Sequence, residues 1–263
     1  MQNFLKFSIV TVVLNREKYI KDSIENVISQ DYANFEHIVI DGGSSDGTLE
    51  VLNSYPHLQW ISEPDEGSVF ALNKGLKRIK GDIFGWLNSD ELYAPNLFNE
   101  VNNLFNQYPE IDMVYGTTEF ISPTGEVIGK TRFKKFTVNR ELLGLMAICA
   151  PSSVFVRISA LDKIGRYVDE RWKDTYDHDL WIRIGKKCKV LGINKCFSKF
   201  TFHSGSGVAG TPEKAIKEAK KLRISHGRDI NLINRLFLVP MANIYLFLYR
   251  KLKLNKIIKK ASF

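Results

Sequence analysis

A chain of 263 residues, 44% of them hydrophobic, is long enough for one α/β domain or a domain with an appendage, and it carries ample apolar residues for a core. Its 37 Lys and Arg against 29 Asp and Glu leave a net charge of +8, which calls for an anionic partner without choosing among nucleotide phosphates, an anionic membrane surface and nucleic acid. Three cysteines, Cys149, Cys188 and Cys196, stand without CxxC spacing, which argues against a disulfide framework or a thiolate zinc site and suits a reducing cytosol.

Met1 to Val13 has one lysine and a short apolar run, without the length or cleavage site of a signal peptide, so it reads as a first strand. Phe7 to Leu14 is the β-branched part of that run, and Ile20, Ile24, Val27 and Ile28 then recur at helical spacing. A second strand, His37 to Ile40, ends in Asp41-Gly42-Gly43-Ser44-Ser45-Asp46-Gly47-Thr48. A loop so rich in glycine and small polar residues must turn tightly and pass close to something. Asp46 is placed to cap the next helix, which carries Leu49 and Leu52. Trp60 to Ser62 reads as a third strand, and beyond Glu63-Pro64-Asp65-Glu66-Gly67 comes a helix with Val69, Leu72, Leu76 and Ile79 on one face.

The stretch Ile83 to Glu91, IFGWLNSDE, follows. Its uncharged start, Ile83 to Leu87, reads as a buried strand of a parallel sheet, and the oxygens of Asn88, Ser89 and Asp90 then fall at the carboxyl end, where open α/β sheets bind ligands. Alternation points Asn88 and Asp90 to one side and Ser89 to the other. Such a pair of oxygen ligands suits a hard divalent cation that also binds phosphates.

A helix entered through Pro95 carries Leu97, Val101, Leu104, Phe105 and Tyr108. Strands alternating with single helices up to this point call for parallel βαβ units. After Asp112 the order is mixed, with strands expected at Met113 to Gly116, Thr118 to Ile121 and Val127 to Phe136 around the turn Ser122-Pro123-Thr124-Gly125. Leu180 to Ile184 is an apolar-faced segment for which Asp177 or Asp179 is a good cap, and Pro212 begins a charged helix to about Arg223.

The one shift in composition comes near Asp229, after which no acidic residue occurs. Leu236 to Tyr249 is apolar but, broken by Pro240 and Asn243, is too short for a transmembrane helix of about 20 residues. Basic residues from Arg250 to Lys260 follow, opposite Leu254, Ile257 and Ile258. The tail reads either as an interfacial anchor on an anionic membrane or as a helical pair packed on the domain or forming a homodimer contact.

Five blocks in order, SIVTVVLNREKYI, HIVIDGGSSDGT, SEPDEGSVFALNKGL, GWLNSDE and YDHDLWIRI, between about Ser8 and about His203, resemble those of a family 2 glycosyltransferase. The resemblance implies an α/β chain of the GT-A fold: a Rossmann-like mixed, mainly parallel sheet flanked by helices, with a C-terminal helical extension. Residues 1–229 would form the glycosyltransferase domain, with a nucleotide-binding half to about 115 and an acceptor half from about 116, and 230–263 the tail. It further implies transfer with inversion from a nucleotide-sugar donor, by family habit a UDP-sugar, with manganese or magnesium as cofactor. The acceptor would be a glycan or lipid-linked saccharide of the cell-surface polysaccharide type; the cysteines point to a cytoplasmic chain, and the anchor reading of the tail, as against the packed one, to a peripheral place on the inner face of the plasma membrane. Nucleic acid is not expected, because the basic residues concentrate in an apolar-rich tail. A dinucleotide-dependent dehydrogenase is disfavoured, since Gly42-Gly43 follows the second strand and no GxGxxG follows the first. The competing function is a catalytically inactive nucleotide-sugar-binding protein of the same fold.

Carried onto these blocks, Asp41 accepts hydrogen bonds from the N–H edge of a base such as uracil, or else merely opens an Asx-turn. Thr11 and Asn15 lie beside base and ribose by resemblance, Asn15 alternatively capping the first helix. Asp65 precedes, and Asn73 and Lys74 lie on, the helix whose free N–H groups suit an anion, and Ser89 belongs to the same nucleotide-binding set. The family's Asp-x-Asp has Asn88 in first place here, so Asp90 is the principal metal ligand, Asn88 a weaker one and Glu91 an auxiliary. His203 is the third ligand or a diphosphate contact. Asp177 stands where the family places the base that takes the acceptor proton. Asp179 is assigned to capping or positioning, and Arg183 to a carboxylate pair.

Overall fold

A computed structural model describes residues 3–145, 147–148, 150–202 and 212–227. The first half alternates as expected: β1 (Phe7–Val13), α1 (Glu17–Ile28), β2 (Phe35–Asp41), α2 (Thr48–Asn53), β3 (Leu58–Ser62), α3 (Ser68–Leu76) and β4 (Ile83–Trp86). Every residue of β1 and β4 is buried, as in parallel strands covered on both faces. β1 pairs in parallel with β2 on one flank and β4 on the other, and β2 pairs in parallel with β3.

Alternation along the strands divides the core into layers. Val10, Val12, Ile38 and Ile40 pack with Val69, Leu72 and Leu76 of α3. On the other face, Phe7, Ile9 and Ile83 meet Leu97, Phe98 and Val101 of α4 (Leu97–Gln107), while Val13 and Val39 meet Ile20 and Ile24 of α1. Ile28, expected on the apolar face of α1, is instead 46% exposed, and Ser23 takes an inner position. α3 lies close to β1 because Gly75 has no side chain: a Cβ there would come 2.4 Å from Cγ1 of Val10.

The second half departs further from expectation. β5 (Glu91–Tyr93) follows β4 almost at once and pairs antiparallel with β9 (Val190–Thr201). The two strands expected around Gly116 are one, β6 (Met113–Ile121), whose register against β9 shifts between Tyr115 and Thr118 and so absorbs the break in the apolar pattern. β7 is Val127–Lys130, shorter than expected, and α5 (Val138–Leu142) follows with Thr137 Oγ1 accepting from the Arg140 N–H at 3.2 Å. A 3-10 turn Pro151–Ser153, β8 (Val154–Arg157) and α6 (Ile158–Asp162) come next, then α7 (Tyr176–Lys187) and α8 (Pro212–Ser225).

The sheet order is β3-β2-β1-β4-β8-β6-β9-β5, with β7 pairing β6. The chain winds outward from β1 to β3 and returns on the other flank of β1 at β4. That reversal opens a crevice beyond the carboxyl ends of β1 and β4, the place where a doubly wound sheet receives a ligand. Cys188 and Cys196 are free thiols, and among the described residues no helix is long and apolar enough to cross a membrane. Cys149, His203, the boundary near Asp229 and the tail 230–263 lie outside the described residues.

Candidate active site

Three loops and one helix end meet at that crevice. Asp41, the buried last residue of β2, orders the glycine-rich loop after it. Its Oδ2 accepts the N–H groups of Gly43 and Ser44, both at 2.9 Å, and the Ser62 hydroxyl at 2.7 Å, while Oδ1 accepts the Ser44 hydroxyl at 2.5 Å. Gly43 has φ +86, a conformation open to glycine at little cost. Asn15 at the end of β1 is tied to the same loop, its N–H donating to Ser44 Oγ at 2.8 Å and its Oδ1 accepting the Ser45 N–H at 2.9 Å. Asp46 accepts from the N–H groups of both Thr48 and Glu17, so one side chain steadies the starts of α2 and α1.

Asp65, in the β3–α3 loop, packs against the glycine loop. Its Oδ1 accepts the Gly67 N–H at 2.9 Å, and a Cβ on Gly42 would touch the carboxylate at 3.4 Å. Its Oδ2 is buried with no hydrogen-bond partner. A buried carboxylate oxygen without a donor is costly, and an N–H or O–H group of a ligand resting on the glycine loop would satisfy it.

Beyond β4, the Asn88 amide is engaged at both ends: Oδ1 accepts the Trp86 indole N–H at 2.9 Å, and Nδ2 donates to Glu91 Oε1 at 3.1 Å. Glu91 is fully buried, and burial first, then the charge of Asp90, raises its pKa to about 7 against the opposing hydrogen bonds of Ser152 and Asn88. Its Oε2 and the hydroxyls of Ser152 and Tyr93 nevertheless lack a well-formed hydrogen bond. Ser89 is buried in the same turn, and the Asp90 backbone carbonyl accepts the Thr201 N–H of β9 at 3.2 Å.

α7 enters over this turn because its first residue, Tyr176, stacks on Trp86 with ring centroids 5.3 Å apart, and the Tyr176 hydroxyl donates to Ser68 at the start of α3 at 2.9 Å. Asp177 therefore stands in the first turn of α7, 4.0 Å from His178 Nε2. Asp179 is buried and bound to Arg183 at 2.6 Å and to His226 at 2.8 Å, which makes it an anchor for its helix. Two residues here carry no sequence motif. Glu218 of α8 accepts the N–H groups of Lys173 and Asp174 and the Thr175 hydroxyl, holding the turn that leads into α7. Glu141 of α5 is buried with a raised pKa, burial being the main cause, and Asp177 and His178 are close enough to act on it.

Other expected site residues sit apart from this cluster. Thr11 lies within the sheet with Oγ1 2.9 Å from His37 Nε2, and burial holds that histidine at a pKa of about 3, hence neutral. Asn73 clamps the segment after α6: Oδ1 accepts the Val168 N–H at 2.8 Å, and Nδ2 donates to the Val168 carbonyl at 3.0 Å and to Glu170 at 2.9 Å. Lys74 pairs with Glu63 at 2.9 Å. His203 is outside the described residues, among which no group of three or more His, Cys, Asp and Glu converges as a metal site. The donors near the turn are oxygens, which fit a hard cation whose remaining ligands are phosphate and water.

Comparison with known proteins yields a family and a fold. The family described as Glycosyl transferase family 2 matches residues 8–165. An uncharacterized glycosyltransferase of Rickettsia bellii is 28% identical over 209 residues, which is 76% of this chain but only 30% of that protein's length. The crystal structure of S. aureus TarS in complex with UDP-GlcNAc superposes with a TM-score of 0.70 at 18% identity, covering 92% of this chain and 73% of the other. A mannosyltransferase from Pyrobaculum calidifontis in complex with GDP-Man and Mn2+ gives a TM-score of 0.63 at 17% identity, covering 96% and 73%. The curled, mainly parallel sheet with flanking helices is that of the GT-A fold.

Proposed function

The chain belongs to glycosyl transferase family 2, and from that premise we propose that it is an inverting, metal-assisted hexosyltransferase acting on a UDP-sugar and a hydroxyl of a glycan or polyprenyl-linked saccharide. The observation that supports this reading is the stack of Tyr176 on Trp86, which joins the start of α7, the turn that carries Asp177, to the end of β4 two residues before Asn88. Asp41 and Asp65 with the glycine loop bind the base and ribose, Asp65 Oδ2 being the buried acceptor that a base or ribose donor completes. Asn15 and Ser89 complete the nucleotide-binding set, whereas Thr11, Asn73 and Lys74, held by His37, by Val168 and Glu170, and by Glu63, shape the sheet and α3 behind it. Asp177 takes the acceptor proton as the acceptor oxygen bonds to the anomeric carbon, and the bond to the diphosphate breaks with its electron pair leaving on phosphate oxygen. Asp90, with His203 and the second lone pair of the Asn88 amide oxygen, whose first accepts the Trp86 indole N–H, would hold a manganese or magnesium ion, which when bound supplies positive charge to the departing diphosphate.

The apolar and basic tail is read as an anchor on the anionic inner face of the plasma membrane, where a lipid-linked acceptor resides. A thermal-shift panel of nucleotide sugars with manganese tests the donor assignment. A ligand at about 100 times its Kd adds about 2.7 kcal/mol to the native state, so one UDP-sugar raises the melting temperature clearly; a panel without any response would overturn the reading. A binding protein without turnover is the second reading, favoured by the Asn88 amide being committed to Trp86 and Glu91. Donor hydrolysis with and without divalent ion and chelator separates the two.

A further inference from the structure

The outward face of α8 carries a pattern that the catalytic reading does not use. Lys214, Lys217, Lys220 and Lys221 are exposed, as is Ile224 at 49%. At 3.6 residues per turn they fall within an arc of roughly 120°. Glu213 is the one acid on that arc. None of the four lysines has a hydrogen bond or ion pair among the described residues. The opposite face is fixed: Leu222 is buried, Glu218 holds the 173–175 turn, and at the helix end the backbone carbonyl of His226 accepts from Lys186 at 2.8 Å while its ring meets Asp179. α8 therefore cannot roll its lysines away from solvent without releasing α7.

Charge shows where this face leads. Residues 230–263 hold seven Lys and Arg and no acid, so everything before them sums to +1 of the net +8. Against that nearly neutral remainder, the α8 stripe is a local concentration of positive charge, and in the sequence it is followed by the apolar and basic segment. We propose that the outward face of α8 is a docking surface for an anionic lipid bilayer. An exposed isoleucine among lysines suits the boundary of headgroups and acyl chains, whereas a nucleic-acid face calls for cations with polar or base-stacking side chains. The inference rests on the membrane reading of the tail but concerns different residues, and it holds the membrane at a fixed disposition to the helix bearing Asp177.

Cosedimentation of the full chain with phosphatidylcholine vesicles, with and without phosphatidylglycerol, tests it. Wild type is expected to bind only the anionic vesicles, less as salt rises. Each lysine replaced by glutamine is expected to cost roughly fivefold in partitioning, and the triple variant K214Q/K217Q/K221Q roughly a hundredfold, with an unchanged melting temperature. If the triple variant melts early, the single substitutions carry the same test. Wild-type partitioning by these variants overturns the α8 proposal. If replacing Lys251, Lys253 and Lys256 by glutamine in the full chain then abolishes binding, the tail reading stands alone. Absence of wild-type binding to anionic vesicles overturns both, and preference for an oligonucleotide over vesicles assigns the face to nucleic acid instead.

Discussion

Replacing Glu91 by Gln isolates the energetic cost of a carboxyl buried beneath the turn that bears Asp90. Burial and the Asp90 charge raise the Glu91 pKa from 4.5 to about 7, so the folded chain holds this proton more tightly than the unfolded chain does. Below about pH 4.5 both states are protonated and nothing is lost. Between there and pH 7 the unfolded state releases its proton first, so stability falls as pH rises. Above about pH 7 both are ionised and the loss is constant, at about 3 kcal/mol by the free energy of each pKa unit. Glutamine has the shape of the protonated acid: its oxygen can keep the bond from Asn88, and its amide can donate toward the adjacent Ser152 hydroxyl. Urea unfolding of both chains from pH 5 to pH 9 is the assay, because titrating groups that do not interact with Glu91 are common to both and cancel in the difference, and Asp90 is ionised across that range in the unfolded chain. Glu91→Gln is expected to be more stable by about 3 kcal/mol at pH 8 to 9, with the difference shrinking toward zero near pH 5. A difference that does not vary with pH would refute the assigned protonation.

Asp177→Asn is expected to lower sugar transfer by roughly a hundredfold to ten-thousandfold while leaving the donor-induced thermal shift intact; retained turnover would remove Asp177 as the base. Glu218→Ala removes the acceptor of two backbone N–H groups and a hydroxyl before α7, and the loss of such a cap is expected to cost about 2 kcal/mol in urea unfolding. A loss below about 0.5 kcal/mol would mean that the turn stands without it.

Much of the first half of the fold was legible because its signals are local. A strand buried on both faces shows as a continuous apolar run, as at Phe7–Val13, and a helix on a sheet shows as apolar residues at helical spacing, as at Val69, Leu72 and Leu76. Short elements escaped for the same reason. β5 has three residues and α5 and α6 five each, too few for a period to declare itself. Gly116 looked like a strand end until a register shift against β9 absorbed it.

By itself the sequence determined the order of strands and helices from β1 to β4, the glycine turn after β2 and the family blocks, since each depends on residues adjacent in the chain. The tertiary structure alone decided which of those residues meet. Tyr176 lies on Trp86, Glu218 beneath the 173–175 turn and Glu141 beside Asp177 because packing brings distant segments together. It also decided how the Asn88 amide is used: as an ordinary polar residue it could face a cation, but the indole of Trp86 and the buried Glu91 lie within hydrogen-bond reach. A half-buried amide set between an indole N–H and a carboxylate takes those partners, and those surroundings are set by the fold.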